Sequence, residues 1–211
     1  MNFRVKILLI FIPLSFLLCF MSNTYSRYVA DTTGDLKVSF AQWQILINNT
    51  DIINNTSSSI VLSPVIDSNN YVKSNKIAPS STGYFDINVD PSNVDVSFNY
   101  NISLKVLNEN IPDLMITKYA ILDNSFDEKK DTITYNEIKN NLISGSLDLK
   151  DIDSSTNKFG PFTIRICFEW YEGNDEKMNN DADTLIALDP EKNELQIEAS
   201  IKFEQKMESN I

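Results

Sequence analysis

Stretches of this chain alternate apolar and polar residues with a period of two, and that period limits the folds open to it. The longest run places Val94, Val96, Phe98, Tyr100, Ile102, Leu104 and Val106 between Asp95, Ser97, Asn99, Asn101, Ser103 and Lys105. Successive side chains of an extended strand point to opposite faces, so the run describes a strand with one face on a core. A helix would scatter the same residues around its circumference. Phe162, Ile164, Ile166, Phe168 and Trp170 make a second such strand. Leu195, Ile197, Ala199, Ile201 and Phe203 make a third. Trp43, Phe98, Phe168 and Trp170 fall at core-facing spacing.

Shorter strands are expected at 36–40, 43–47, 59–62, 84–89 and 115–122. Turn chemistry separates them at 48–51, 79–83, 90–93 and 108–113, where Asn, Asp, Pro, Ser and Gly collect. Seven or more strands with polar outer faces and short turns predict an all-β fold, an antiparallel β-sandwich of immunoglobulin or jelly-roll type. One short helix is expected near 134–144. There Thr134 and Glu137 have capping-box spacing, Ile138 and Leu142 share a face, and Gly145 follows. A helical turn around 183–188, before Pro190, is a weaker expectation.

The N-terminus has its own character. Arg4 and Lys6 precede the uncharged, almost wholly apolar run from Ile7 to Met21. As a helix this run is about 22 Å long, short of the roughly 30 Å hydrocarbon core, and Pro13 interrupts it. The pattern predicts a signal helix over 1–26, cleaved after Ser26, with an uncleaved membrane anchor through residues 7–21 as the alternative. Residues 27–35 are then a mobile lead-in, and 36–211 the sandwich domain. Cleavage removes Arg4 and Lys6 and no acid, moving the net charge from −11 to −13. It also removes Cys19 and leaves Cys167 alone, so no intrachain disulfide forms. The Asn-, Ile- and Lys-rich, Gly-poor composition suits an AT-rich bacterial genome.

Composition excludes much chemistry. The chain has no histidine, so Ser-His-Asp triads, Cys-His dyads and HExxH zinc helices are absent. No G-x-S-x-G elbow, G-x-G-x-x-G loop or Walker A sequence occurs. The acidic balance argues against nucleic-acid partners, whose phosphates need clustered Lys and Arg. These absences predict a protein that is not an enzyme and needs no cofactor. The exception concerns Ca²⁺, which takes six to eight hard oxygens. Glu172, Asp175, Asp181 and Asp183 are candidate ligands on an Asn-rich loop, against the alternative of a solvated acidic loop. Asp148, Asp151 and Asp153 form a second, weaker acidic stretch.

Some segments carry a resemblance. They are Tyr25-Ser26-Arg27-Tyr28, then Ala41-Gln42-Trp43 closing a strand, then KIAPSSTGYFDINVD at Lys76–Asp90 leading into VDVSFNYNI. Together with the signal segment, they resemble the small exported β-sandwich proteins of Firmicutes related to TasA and camelysin, a biofilm-matrix family. Pro79-Ser80 stands where that family usually has Pro-Gly. The resemblance implies an exported structural protein of the cell surface or matrix, self-associating or joining homologous matrix proteins. It also implies a fibre in which an N-terminal segment completes the next subunit's sheet. Tyr28, Val29, Leu36, Val38 and Phe40 are the candidate assembly strand, unless 36–40 is the first strand of its own sheet. The other reading is a membrane-tethered sandwich whose loops bind a ligand, with Ca²⁺ at 172–183. Metalloprotease activity assigned to some of the family does not transfer to a chain without histidine.

Overall fold

A computed structural model describes residues 12, 15, 39–52, 62–107, 113–173, 178–188 and 195–207. The chain divides into two units, residues 1–40 and 41–211. In the first, Ile12 and Ser15 are helical and Phe40 is 97% exposed. Tyr28, Val29, Leu36 and Val38 lie outside the described residues, as does most of the expected signal helix. No described helix is long and apolar enough to cross a membrane.

The second unit is an antiparallel β-sandwich. Its strands are β1 (Trp43–Ile47), β2 (Thr50–Asp51), β3 (Val65–Ile66), β4 (Thr82–Val94), β5 (Phe98–Val106), β6 (Leu114–Asp123), β7 (Asn136–Glu137), β8 (Leu142–Leu147), β9 (Phe162–Trp170) and β10 (Ile197–Gln205). Among the described residues of this unit one α-helix, α1, spans Asn180–Leu188. The larger sheet has the order β2-β1-β4-β9-β6-β7, with β3 also on β4; the smaller is β10-β5-β8. The inward faces of the two sheets form one core, with Ile45, Phe85, Ile87, Ile164 and Ile166 from the first and Phe98, Ile102 and Ile143 from the second. Each such aliphatic or aromatic side chain contributes roughly 1.5–3 kcal/mol by leaving water. Phe98 is an aromatic hub, edge-on to Trp43 at 6.0 Å and to Phe159 at 5.5 Å.

The alternation from Val94 to Val106 belongs to two strands rather than one. β4 ends at Val94, the chain bends at 95–97, and β5 begins at Phe98 in the other sheet. The inward parity survives the bend because both layers face the same core. The turn expected at Asp90–Asn93 is a bulge inside β4. Gln44 pairs with Asn93 and Leu46 with Asp90, so β4 carries one extra residue there. Pro91 sits in this bulge, beyond the part of β4 that pairs with β9, where a missing N–H is tolerated.

The helix expected at 134–144 is corrected by the structure: β7, a turn and the start of β8 occupy those residues. Asn140 and Asn141 both take left-handed backbone, φ 54° each, and Leu142 N–H donates to the Lys139 carbonyl. Two consecutive left-handed residues make a type I′ hairpin turn, which no helix interior accommodates. Asn48 and Asn49 (φ 47° and 65°) make the same turn between β1 and β2. Gly145 caps no helix. It lies in β8 opposite Tyr100, whose ring fills the space a Cβ would need. Helix is found instead at α1, where the weaker expectation lay.

Candidate functional site

The smaller sheet has two edge strands, β10 and β8, whose outer edges no described strand pairs. β10 pairs with β5, and among the described residues nothing pairs with its other edge. Lys206 N–H donates to the Ser97 carbonyl, and Leu107 N–H to that of Gln196. In an antiparallel ladder, main-chain groups of alternate residues point to the same side. The even-numbered residues of β10 therefore face β5, and Ile197, Ala199, Ile201 and Phe203 present N–H and C=O to the free edge. Their side chains point inward yet are only half-buried, whereas Phe98, Tyr100, Ile102 and Leu104 of β5 are buried. Beside this edge lies a cleft of about 540 Å³ lined by Leu62, Pro64 and Phe85 from one side and Ile197, Ala199 and Ile201 from the other. Glu198, Ser200, Lys202 and Glu204 form the exposed face, so β10 has the alternation of a strand whose sheet continues.

A second feature lies where β6 begins and β9 ends. Asp113, directly before β6, is fully buried. Its carbonyl accepts the Tyr171 N–H at 2.9 Å, and its Oδ2 accepts the Asn179 N–H at 3.1 Å. Asn179 caps α1, its Oδ1 accepting the Ala182 N–H at 3.1 Å. Asp183, in the first turn and a half of α1, is 8% exposed and accepts the Trp170 indole N–H at 3.0 Å. Each carboxylate thus accepts a hydrogen bond through one oxygen, Asp113 from Asn179 and Asp183 from Trp170. The other oxygen of each, Asp113 Oδ1 and Asp183 Oδ2, is buried without a hydrogen-bond partner. Burial pushes the Asp183 carboxyl above the usual carboxylate range, and the charges of Asp113 and Glu172 push the same way against the Trp170 N–H.

The magnitudes nearly cancel in this corner. A hydrogen bond to a charged group contributes about 1.5–3 kcal/mol, and a helix N-terminus about 0.3–1 kcal/mol. An unsatisfied buried oxygen costs about 1–3 kcal/mol, more when charged, and here there are two, on adjoining acids. Of the expected Ca²⁺ ligands, Asp183 alone is buried here. Glu172 and Asp181 are exposed, and Asp175 lies outside the described residues. Among the described residues no three acidic, Cys or His side chains form a metal-holding group. Asp113 was missed because its neighbourhood depends on the pairing of Leu114 with Trp170, which local sequence does not reveal. The second acidic stretch engages in local turns: Asp151 accepts the Asp148 N–H, and Asp153 accepts Ser155 N–H and O–H.

The outer face of the larger sheet is polar and ordered. Arg165 on β9 bonds Asp86 through Nε (2.9 Å) and Nη2 (2.8 Å) and Glu128 through Nη1 (2.6 Å), with Tyr84 stacked at 3.9 Å. Every branch of the guanidinium is taken up by these contacts. Burial pushes the neighbouring Cys167 thiol up, away from the thiolate a nucleophile needs. No protein-family model and no curated protein matches the chain.

Proposed function

We propose that this chain is an exported structural protein of the bacterial cell surface or biofilm matrix, a subunit that assembles by accepting a strand along β10. The observation that carries the reading is the edge of β10, unpaired among the described residues, beside a cleft of about 540 Å³. An incoming strand satisfies the outward donors and acceptors and covers the half-buried side chains of Ile197, Ala199 and Ile201. Residues 27–40 of a neighbouring subunit are the proposed occupant. Leu36, Val38 and Phe40 alternate at the spacing that sends every second side chain toward a core. The resemblance to TasA- and camelysin-related proteins supports the same reading, which assigns no catalytic role.

The test is Ala199→Pro. Ala199 turns its N–H to the free edge, so proline removes a donor needed by an added strand while β10 keeps its bonds to β5. The secreted form should give oligomers that grow with concentration in size-exclusion chromatography. The variant should stay monomeric with an unchanged β-rich circular dichroism spectrum. Equal assembly by both proteins, or a parent monomeric at every concentration, overturns strand addition at this edge. Native protein that keeps residues 1–26 and stays in the membrane fraction would favour the tethered ligand-binding module instead.

A further inference from the structure

Independently of assembly, the corner between β6, β9 and α1 has the construction of a cation site. Two acids from distant parts of the chain, Asp113 and Asp183, meet there around one residue. Asn179 donates its N–H to Asp113, and its carbonyl accepts the N–H of Asp183. Both acids are more than nine-tenths buried, and each holds one oxygen with no hydrogen-bond partner. Their remaining oxygens are tied to Asn179 and Trp170, so neither acid can turn out to solvent without undoing the loop and helix that it fastens. No ion pair among the described residues involves either acid.

We propose that Asp113 Oδ1 and Asp183 Oδ2 bind a divalent cation of the Ca²⁺ class, which ties the start of β6 to the first turns of α1. Carboxylate oxygens are hard ligands, which suit Ca²⁺ over transition metals. Two side-chain ligands fall short of the six to eight oxygens that Ca²⁺ takes, so main-chain carbonyls and water complete the shell. A site with so few charged ligands belongs to the weak class, with a dissociation constant of about 10⁻⁴–10⁻³ M. The loop expected to hold Ca²⁺ thus contributes one of its four named acids, and the second ligand comes from the residue before β6, the strand paired with β9.

Trp170 provides the readout, because its indole N–H donates to the same Asp183 carboxylate. The full chain, stripped with a chelator, is titrated with Tb³⁺ under tryptophan excitation, then with CaCl₂ as competitor. Sensitised Tb³⁺ emission displaced by Ca²⁺ is expected, with a rise in melting temperature that saturates in the same Ca²⁺ range. Asp183→Asn and Asp113→Asn each keep one acceptor for the existing hydrogen bond and should weaken Ca²⁺ at least tenfold. Asp181→Asn, an exposed acid of the same helical turn, should leave affinity unchanged. The proposal is overturned if the parent shows neither sensitised emission nor a Ca²⁺-dependent melting shift. It is also overturned if Asp181→Asn abolishes the response as fully as Asp183→Asn.

Discussion

Arg165 and Tyr100 show two ways in which a strand residue bears burial. Arg165 points away from the core, yet is only 8% exposed, because Tyr84 and Glu128 close over it. A buried guanidinium is tolerable only with its donors engaged, and the two bonds to Asp86 and one to Glu128 supply that. Tyr100 points inward, packed on Phe162 at 5.7 Å, and solves the problem by remaining neutral. Burial, with a smaller contribution from Tyr119, pushes its phenol from 10.0 up to about 12. Below the ordinary tyrosine value both folded and unfolded chains hold the proton, so Tyr100 adds no pH dependence there. Above it the unfolded chain ionises first, and stability falls until the folded phenol follows. Denaturant unfolding from pH 9 upward should show a loss over about pH 10 to 12 that is smaller in Tyr100→Phe. Equal loss in both proteins would place the cause in other groups.

Turns rather than strands decide which elements this sequence conceals. β1 and β9 have the bounds that alternation predicts, because a two-residue period over a buried face is a signal of packing itself. The hairpin at Asn140–Asn141 was hidden because Thr134, Glu137, Ile138 and Leu142 also satisfy helical spacing. The asparagines alone carried the contrary information, and they are weaker left-handed residues than glycine. Asp113 and Trp170 come together only once β6 and β9 are in register, so half of the acidic corner was illegible. Left-handed backbone recurs at Ser80, φ 66°, in the turn where Ser81 N–H donates to the Ala78 carbonyl at 2.9 Å. After Pro79 this is the position of a type II turn that favours glycine. A serine Cβ in that region costs about 1–2 kcal/mol, and glycine's greater freedom when unfolded returns roughly half of it. Ser80→Gly should therefore stabilise the domain by about 0.5–1 kcal/mol. A raised denaturant midpoint with an unchanged slope checks this; a lower midpoint would mean that the serine side chain supports the turn.

At the scale of the whole molecule, the proposed assembly depends on the competition between apolar burial at one edge and charge over the entire surface. Two or three anchors among Leu36, Val38 and Phe40 would each contribute roughly 1.5–3 kcal/mol before the costs of ordering and association. Those costs are of similar size, so the balance is small and a modest repulsion can tip it. The proposed cleavage of residues 1–26 would leave every acid in place and remove two cations, raising the magnitude of the net charge from 11 to 13. Repulsion between such subunits reaches about 30 Å at 0.01 M salt and about 8 Å at 0.15 M. Backbone pairing and apolar burial act within a few ångströms and are screened far less. The secreted form is therefore expected to be mainly monomeric at 0.01 M salt and to assemble as salt rises to 0.15 M, read by light scattering at fixed concentration. Removing residues 27–40 should abolish that rise and leave a folded monomer, because the described strands of the sandwich begin at Trp43. A truncated chain that unfolds would show that the segment completes its own sheet. Assembly that weakens with salt would show that ion pairs, rather than an added strand, hold the subunits together.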